Sequence, residues 1–175
     1  MKRLFVLLAA LAALSAVVAG AGSAAPPLPY RCTDSTDPST RPVSYINGAM
    51  DVPAGAYCKF IGEVTGNVTV EGTLKIFGST IDGSVYVNHG HFQADNYGST
   101  IKGNLNISHS DNSDLNGIWS PYSDTHIWGN INYDSNAQGL YFQGPYQTLI
   151  GGKINLTGGS PAPTGGPYTI HAPAV

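Results

Sequence analysis

Charge is scarce in this chain. Asp, Glu, Lys and Arg together make up 11% of its 175 residues. Beyond residue 25 only six cations (Arg31, Arg41, Lys59, Lys75, Lys102 and Lys153) face eleven acids. Phosphate recognition needs clustered cations, so nucleic acid is not an expected partner. Methionine occurs twice, and no stretch repeats its apolar residues with a helical period, which argues against a helical fold. Gly-x-Ser-x-Gly, His-Glu-x-x-His and phosphate-cradling glycine loops are all missing, so the common nucleophile-elbow and zinc-peptidase chemistries have no support. The eight acids of the repeated region (Glu63, Glu71, Asp82, Asp95, Asp111, Asp114, Asp124 and Asp134) never fall at equivalent places in adjacent repeats. Polysaccharide hydrolysis needs such a pair. The chain is therefore read as non-enzymatic and without a cofactor.

The one long apolar run is Leu4–Val18. It follows Lys2 and Arg3 and precedes the small residues Ala19–Ala25, the pattern of a secretory signal peptide over residues 1–24. At about 15 residues the run is shorter than the ~20 needed to span a bilayer. The expectation is an exported protein, secreted or associated with the cell surface, with no membrane span after processing. Two cysteines, Cys32 and Cys58, form an even, isolated pair in that export context, so a disulfide between them is expected.

What the chain does have is a repeat. Val64-x-Gly66-x-Val68-x-Val70 returns as Ile81-x-Gly83-x-Val85-x-Val87 and as Ile101-x-Gly103-x-Leu105-x-Ile107. Two further copies are Ile127-x-Gly129-x-Ile131-x-Tyr133 and Ile150-x-Gly152-x-Ile154-x-Leu156. The starts are 17, 20, 26 and 23 residues apart. A repeat of this length is too short to bury its own apolar face and must stack on its neighbours. The expectation is an all-β, single-stranded β-helix of about five coils over residues 61–157. Each coil would hold an extended signature strand and a second strand such as Thr73–Phe77 or Phe92–Ala94. The links Gly78-Ser-Thr80 and Gly98-Ser-Thr100 would lead into the next signature. Three apolar columns would line the interior, and each signature glycine would sit at a sharp turn or a close approach to the coil below. Outward asparagines at 104 and 130, and at 106, 132 and 155, would form ladders along the axis. Residues 25–60 are expected to be a linker and a disulfide-tied cap, and residues 158–175 a flexible Gly/Pro-rich tail.

Over residues 64–156 this once-per-coil signature resembles that of bactofilins and similar polymer-forming β-helix proteins. The resemblance implies a short β-helix and end-to-end assembly. A disulfide-tied cap over residues 30–60 would cover one end, so the oxidised chain is expected as a monomer or small oligomer. Self-association and a cell-surface glycan are the candidate partners.

Three constellations are candidates for chemistry. His89 and His109 each lie eight residues after a signature start, and His91 and Asp111 each lie ten after one. Stacked coils would therefore gather imidazole and carboxylate, the donors zinc or copper take. A polar, solvated turn explains the same residues. Aromatics crowd residues 119–146, and Trp119, Tyr122, Trp128 and Tyr141 are candidate platforms for sugar rings; the alternative is that they pack on the solenoid's flank. Asn112-Ser-Asp114-Leu-Asn116-Gly117 matches the start of a calcium loop but lacks the acidic twelfth position, and a polar turn accounts for it equally.

Overall fold

Each turn of the chain bends at three corners, so every coil lays three strands rather than two. The computed structural model describes residues 27–33, 45–94, 97–109, 116–119, 124–134, 140–143, 147–157, 164–166 and 168–170. The candidate signal peptide lies outside them. The described elements are all β-strands, and every pairing between them is parallel. They form three sheets wound into a β-solenoid. In chain order within a turn, the leading face carries strands such as Glu63–Val64, Thr80–Ile81 and Thr100–Ile101. The middle face carries Val68–Val70, Val85–Asn88, Leu105–Ser108, Ile131–Asp134 and Ile154–Thr157. The trailing face carries Thr73–Ile76, His91–Ala94, Asn116–Trp119 and Leu140–Gln143. Among the described residues no helix is long and apolar enough to cross a membrane.

The signature is therefore not one extended strand, as expected, but two strands on two faces joined at its glycine. The reason is steric. A Cβ built on Gly66, Gly83, Gly103, Gly129 or Gly152 would lie 2.5–2.8 Å from the carbonyl oxygen of the glycine one turn back. Only a residue without a side chain lets the chain bend there while its backbone rests on the turn below. The close approach carries hydrogen bonds: Gly103 N–H donates to Gly83 O at 3.0 Å and Gly129 N–H to Gly103 O at 3.1 Å.

The three apolar columns are in the expected register. Val64, Ile81, Ile101, Ile127 and Ile150 stack on the leading face. Val68, Val85, Leu105, Ile131 and Ile154 stack on the middle face beside Val70, Val87, Ile107, Tyr133 and Leu156. The trailing face adds Cys58, Leu74 and Phe92, and a further column of Phe60, Ile76, Ala94, Ile118 and Phe142. All but Ile154 and Leu156 are buried. Alternation along each strand sends the intervening residues outward, as a pleated strand requires.

Residues 45–60, within the expected disulfide-tied cap, carry three strands. Tyr45–Ile46, Met50–Val52 and Tyr57–Phe60 join the leading, middle and trailing sheets as a further turn of the solenoid. The segment Ile46-Asn-Gly48-Ala-Met50-Asp-Val52 is itself a copy of the signature, starting 18 residues before Val64. Tyr30–Arg31 pairs beyond it on the middle face. The Cys32–Cys58 disulfide is formed, with Cα atoms 5.8 Å apart, and Cys58 lies in the inward column of the trailing face. In the segment read as a flexible tail, Thr164–Gly165 and Tyr168–Ile170 extend the trailing and leading sheets. Backbone groups at a sheet edge favour continued pairing.

Candidate functional site

The two hydrogen-bonded corners decide which polar residues remain to face outward. At the glycine corner, between leading and middle faces, the residue after each glycine accepts from the backbone of the next turn. Asn67 Oδ1 accepts from Ser84 N–H at 2.9 Å, and Ser84 Oγ from Asn104 N–H at 3.0 Å. Asn104 Oδ1 then accepts from Asn130 N–H at 2.7 Å, and Asn130 Oδ1 from Lys153 N–H at 2.8 Å. At the corner between trailing and leading faces the same work falls to hydroxyls. Ser79, Ser99, Thr125 and Thr148 are buried there. The single Ser79 hydroxyl proton has the Phe60 and Phe77 carbonyls as acceptors within reach, at 3.1 and 3.0 Å, and Ser99 Oγ accepts from Ser79 N–H at 3.2 Å. Buried polar atoms need such partners. The Gly-Ser-Thr links are therefore scaffold.

The middle face carries a third ladder, in which side-chain amides bond to one another from turn to turn. Its first outward column runs Arg31, Asp51, Thr69, Tyr86, Asn106, Asn132 and Asn155. Asn155 Nδ2 donates to Asn132 Oδ1 at 2.7 Å, and Asn132 Nδ2 to Asn106 Oδ1 at 2.6 Å. Asn106 Nδ2 donates to the Val85 carbonyl at 3.3 Å. The amides thus point the same way along the axis. Tyr86, at the head of this ladder, is 45% exposed. The adjacent outward column holds Asn88, Ser108, Asp134 and Thr157.

Charge gathers at the second position of the signature. Lys102 Nζ lies 2.7 Å from Asp82 Oδ1 on the neighbouring turn. The hydrogen bond to Asp82, its Coulomb attraction and a smaller one from Glu63 raise the Lys102 pKa above its ordinary 10.5. Trp128 occupies the same corner position one turn further on and is 61% exposed.

The candidate metal ligands are only partly brought together. His89 and His109 stack with ring centroids 5.0 Å apart and planes 11° apart. Both sit at positive φ, 57° and 51°, a region in which histidine is enriched. Parallel rings direct their in-plane nitrogen lone pairs side by side rather than toward one point. His91 stands on the trailing face opposite Thr73, and Asp111 lies outside the described residues. Among the described residues no group of three or more His, Cys, Asp or Glu is placed to hold a metal ion.

The candidate sugar platforms are likewise dispersed. Trp119 and Tyr141 belong to trailing-face strands that pair with each other, and Tyr141 is half-buried. Trp128 is at the glycine corner, and Tyr122 lies outside the described residues, as do Asn112 and Asp114 of the calcium-loop match. Tyr86 was not among the candidates, although its place between Val85 and Val87 marks it as outward. No protein-family model, no curated protein and no solved structure matches the chain.

Proposed function

We infer that this chain is an exported, non-enzymatic β-solenoid with a structural or cell-surface interaction role. The observation that carries the reading is where its polar side chains are engaged. Asn67, Ser84, Asn104 and Asn130 bind the backbone of the next turn, and Ser79 and Ser99 are buried in the opposite corner. Groups that a hydrolytic site would turn toward substrate here stiffen a rod. The disulfide agrees with an oxidising compartment outside the cell.

Fractionation of cells expressing the tagged chain tests the role. It should be recovered, processed, in the medium or on the surface; retention in the cytoplasm would overturn export. Incubation with polysaccharides should yield no new reducing ends or unsaturated products, and either product would make it an enzyme. Electron microscopy of the oxidised chain should show monomers or small oligomers. Regular filaments would restore the polymer-forming reading that its signature resembles. A carbohydrate-binding role is the second reading, favoured by the exposed indole of Trp128.

A further inference from the structure

The asparagine ladder of the middle face is both ordered and incompletely used. An amide side chain has two N–H donors and a carbonyl oxygen with two lone pairs. Asn132 uses one donor toward Asn106 and accepts one bond from Asn155. Asn106 gives one donor to Val85 O and accepts from Asn132. Each therefore keeps one donor and one acceptor after the ladder is made. The ladder holds these groups in one orientation, so a ligand that meets them has little ordering cost left to overcome. They recur at the interstrand spacing, about 4.8 Å per turn.

Tyr86 stands next in the same column, its Cα paired with that of Asn106. Among the described residues no side-chain hydrogen bond or ring contact engages Tyr86. An exposed ring beside a row of paired donors and acceptors matches the two chemistries of a sugar unit, an apolar ring face and a rim of hydroxyls. From Thr69 to Asn155 the column carries no ionised group; at its N-terminal end Asp51 and Arg31 pair with each other, and the neighbouring column adds a single acid, Asp134. Such a surface complements an uncharged ligand. An anion, an acidic peptide or a nucleic acid would find no cation in either column between Tyr86 and Asn155.

We propose that Tyr86 and the Asn106–Asn132–Asn155 ladder form a binding track for a neutral, hydroxyl-rich glycan chain lying along the solenoid axis. A regular polymer fits a regular ladder: successive sugar units would meet equivalent amides on successive turns, with one unit stacked on Tyr86. The proposal rests on the surface-interaction reading and names its partner. It differs from the Trp128 reading in placing the glycan on the flat face rather than at the corner.

The test uses the processed, oxidised full chain with suspended chitin and cellulose, and with chitohexaose and cellohexaose in titration calorimetry. The expected result is retention on at least one glycan. Tyr86→Thr, which places there the residue that Thr69 supplies one turn back, should weaken binding by about tenfold or more, and Tyr86→Phe should bind as the parent does. Hydroxyl-radical footprinting of the unmodified chain should show Tyr86 protected by the bound oligosaccharide, a readout independent of how any variant folds. No retention of the folded chain on either glycan overturns the proposal. So does equal binding by Tyr86→Thr with no protection of Tyr86. Loss of binding in Trp128→Ala, with Tyr86→Thr unaffected, moves the glycan to the corner and overturns the track while leaving a carbohydrate role intact. Export is read separately by fractionation, so failure of the track and failure of the surface role give different results.

Discussion

The two ends of this solenoid pair their strands alike and bury their cores differently. At the N-terminal end, Met50, Val52, Cys58 and Phe60 are as buried as residues at mid-rod, and Cys32 closes the stack beside them. At the C-terminal end Ile154 is half-buried, Leu156 is 38% exposed and Ile170 46% exposed. Yet Leu156 pairs with Tyr133 and Ile170 with Ile150 in unbroken register. Backbone pairing continues wherever an edge is available, because each turn templates the next. Burial needs a neighbour on both sides. The disulfide supplies that neighbour at one end by placing a cysteine over the interior.

The sharpest way to break this comparison is to put one charge at each end of the gradient. Leu105→Asp would place an unpaired carboxylate in a fully buried column. It should lower stability by about 4 kcal/mol, enough to threaten folding, because a buried charge without a partner loses its hydration. Leu156→Asp, the equivalent position of the last signature, should cost only about 0.5 kcal/mol, as expected of a solvated site. Thermal denaturation of both variants checks the contrast, and equal losses would mean that the last turn is covered as well as the middle.

The disulfide comes next in size. Replacing both Cys32 and Cys58 by alanine opens a loop with a sequence separation of 26 and should cost about 3 kcal/mol on the loop-entropy model. Hydrogen exchange should show the loss beginning at Met50–Val52 and Tyr57–Phe60, making the N-terminal end resemble the other. Gly103→Ala tests the stacking that both ends share. Its new Cβ would meet the Gly83 carbonyl oxygen at 2.6 Å, so the turns must part, at a cost of about 1–3 kcal/mol. Calorimetric unfolding checks it.

The smallest expected effect is electrostatic. The Lys102 pKa is raised by Asp82, so its contribution to stability is fully present below the unfolded value of 10.5 and is lost as pH rises through the higher folded value. Melting temperatures of Lys102→Met and of the parent, followed through alkaline pH, should converge there. A gap that widens with rising pH would reverse the sign. Lys102 is exposed to solvent, so its effect at neutral pH should be slight.

How far the site could be read from the chain follows the same physics. The asparagine ladder at 106, 132 and 155 was legible because outward positions of a strand alternate and equal positions stack. The stacking of His89 on His109 was legible because both lie eight residues after a signature start. Tyr86 was not singled out, since one aromatic at an outward position looks like any surface tyrosine until its neighbours on other turns are known. The signature copy at Ile46 was overlooked beside the two cysteines, where a Pro/Ser-rich segment suggested a cap. The aromatics near residue 119 read as one cluster in sequence, but strands of one turn lie on different faces, which separates Trp128 from Trp119 and Tyr141.

By itself the sequence determined the solenoid, its register and its disulfide, because stacked apolar columns and a lone cysteine pair are local patterns repeated along one axis. Only the tertiary structure decided that each signature bends at its glycine into two faces. The clash that demands glycine is with the carbonyl of another turn, 17 to 26 residues away along the chain. It also decided which polar groups are engaged by the corners and which face outward. That division depends on which backbone donors lie one turn away, a distance in space that no spacing along the chain records.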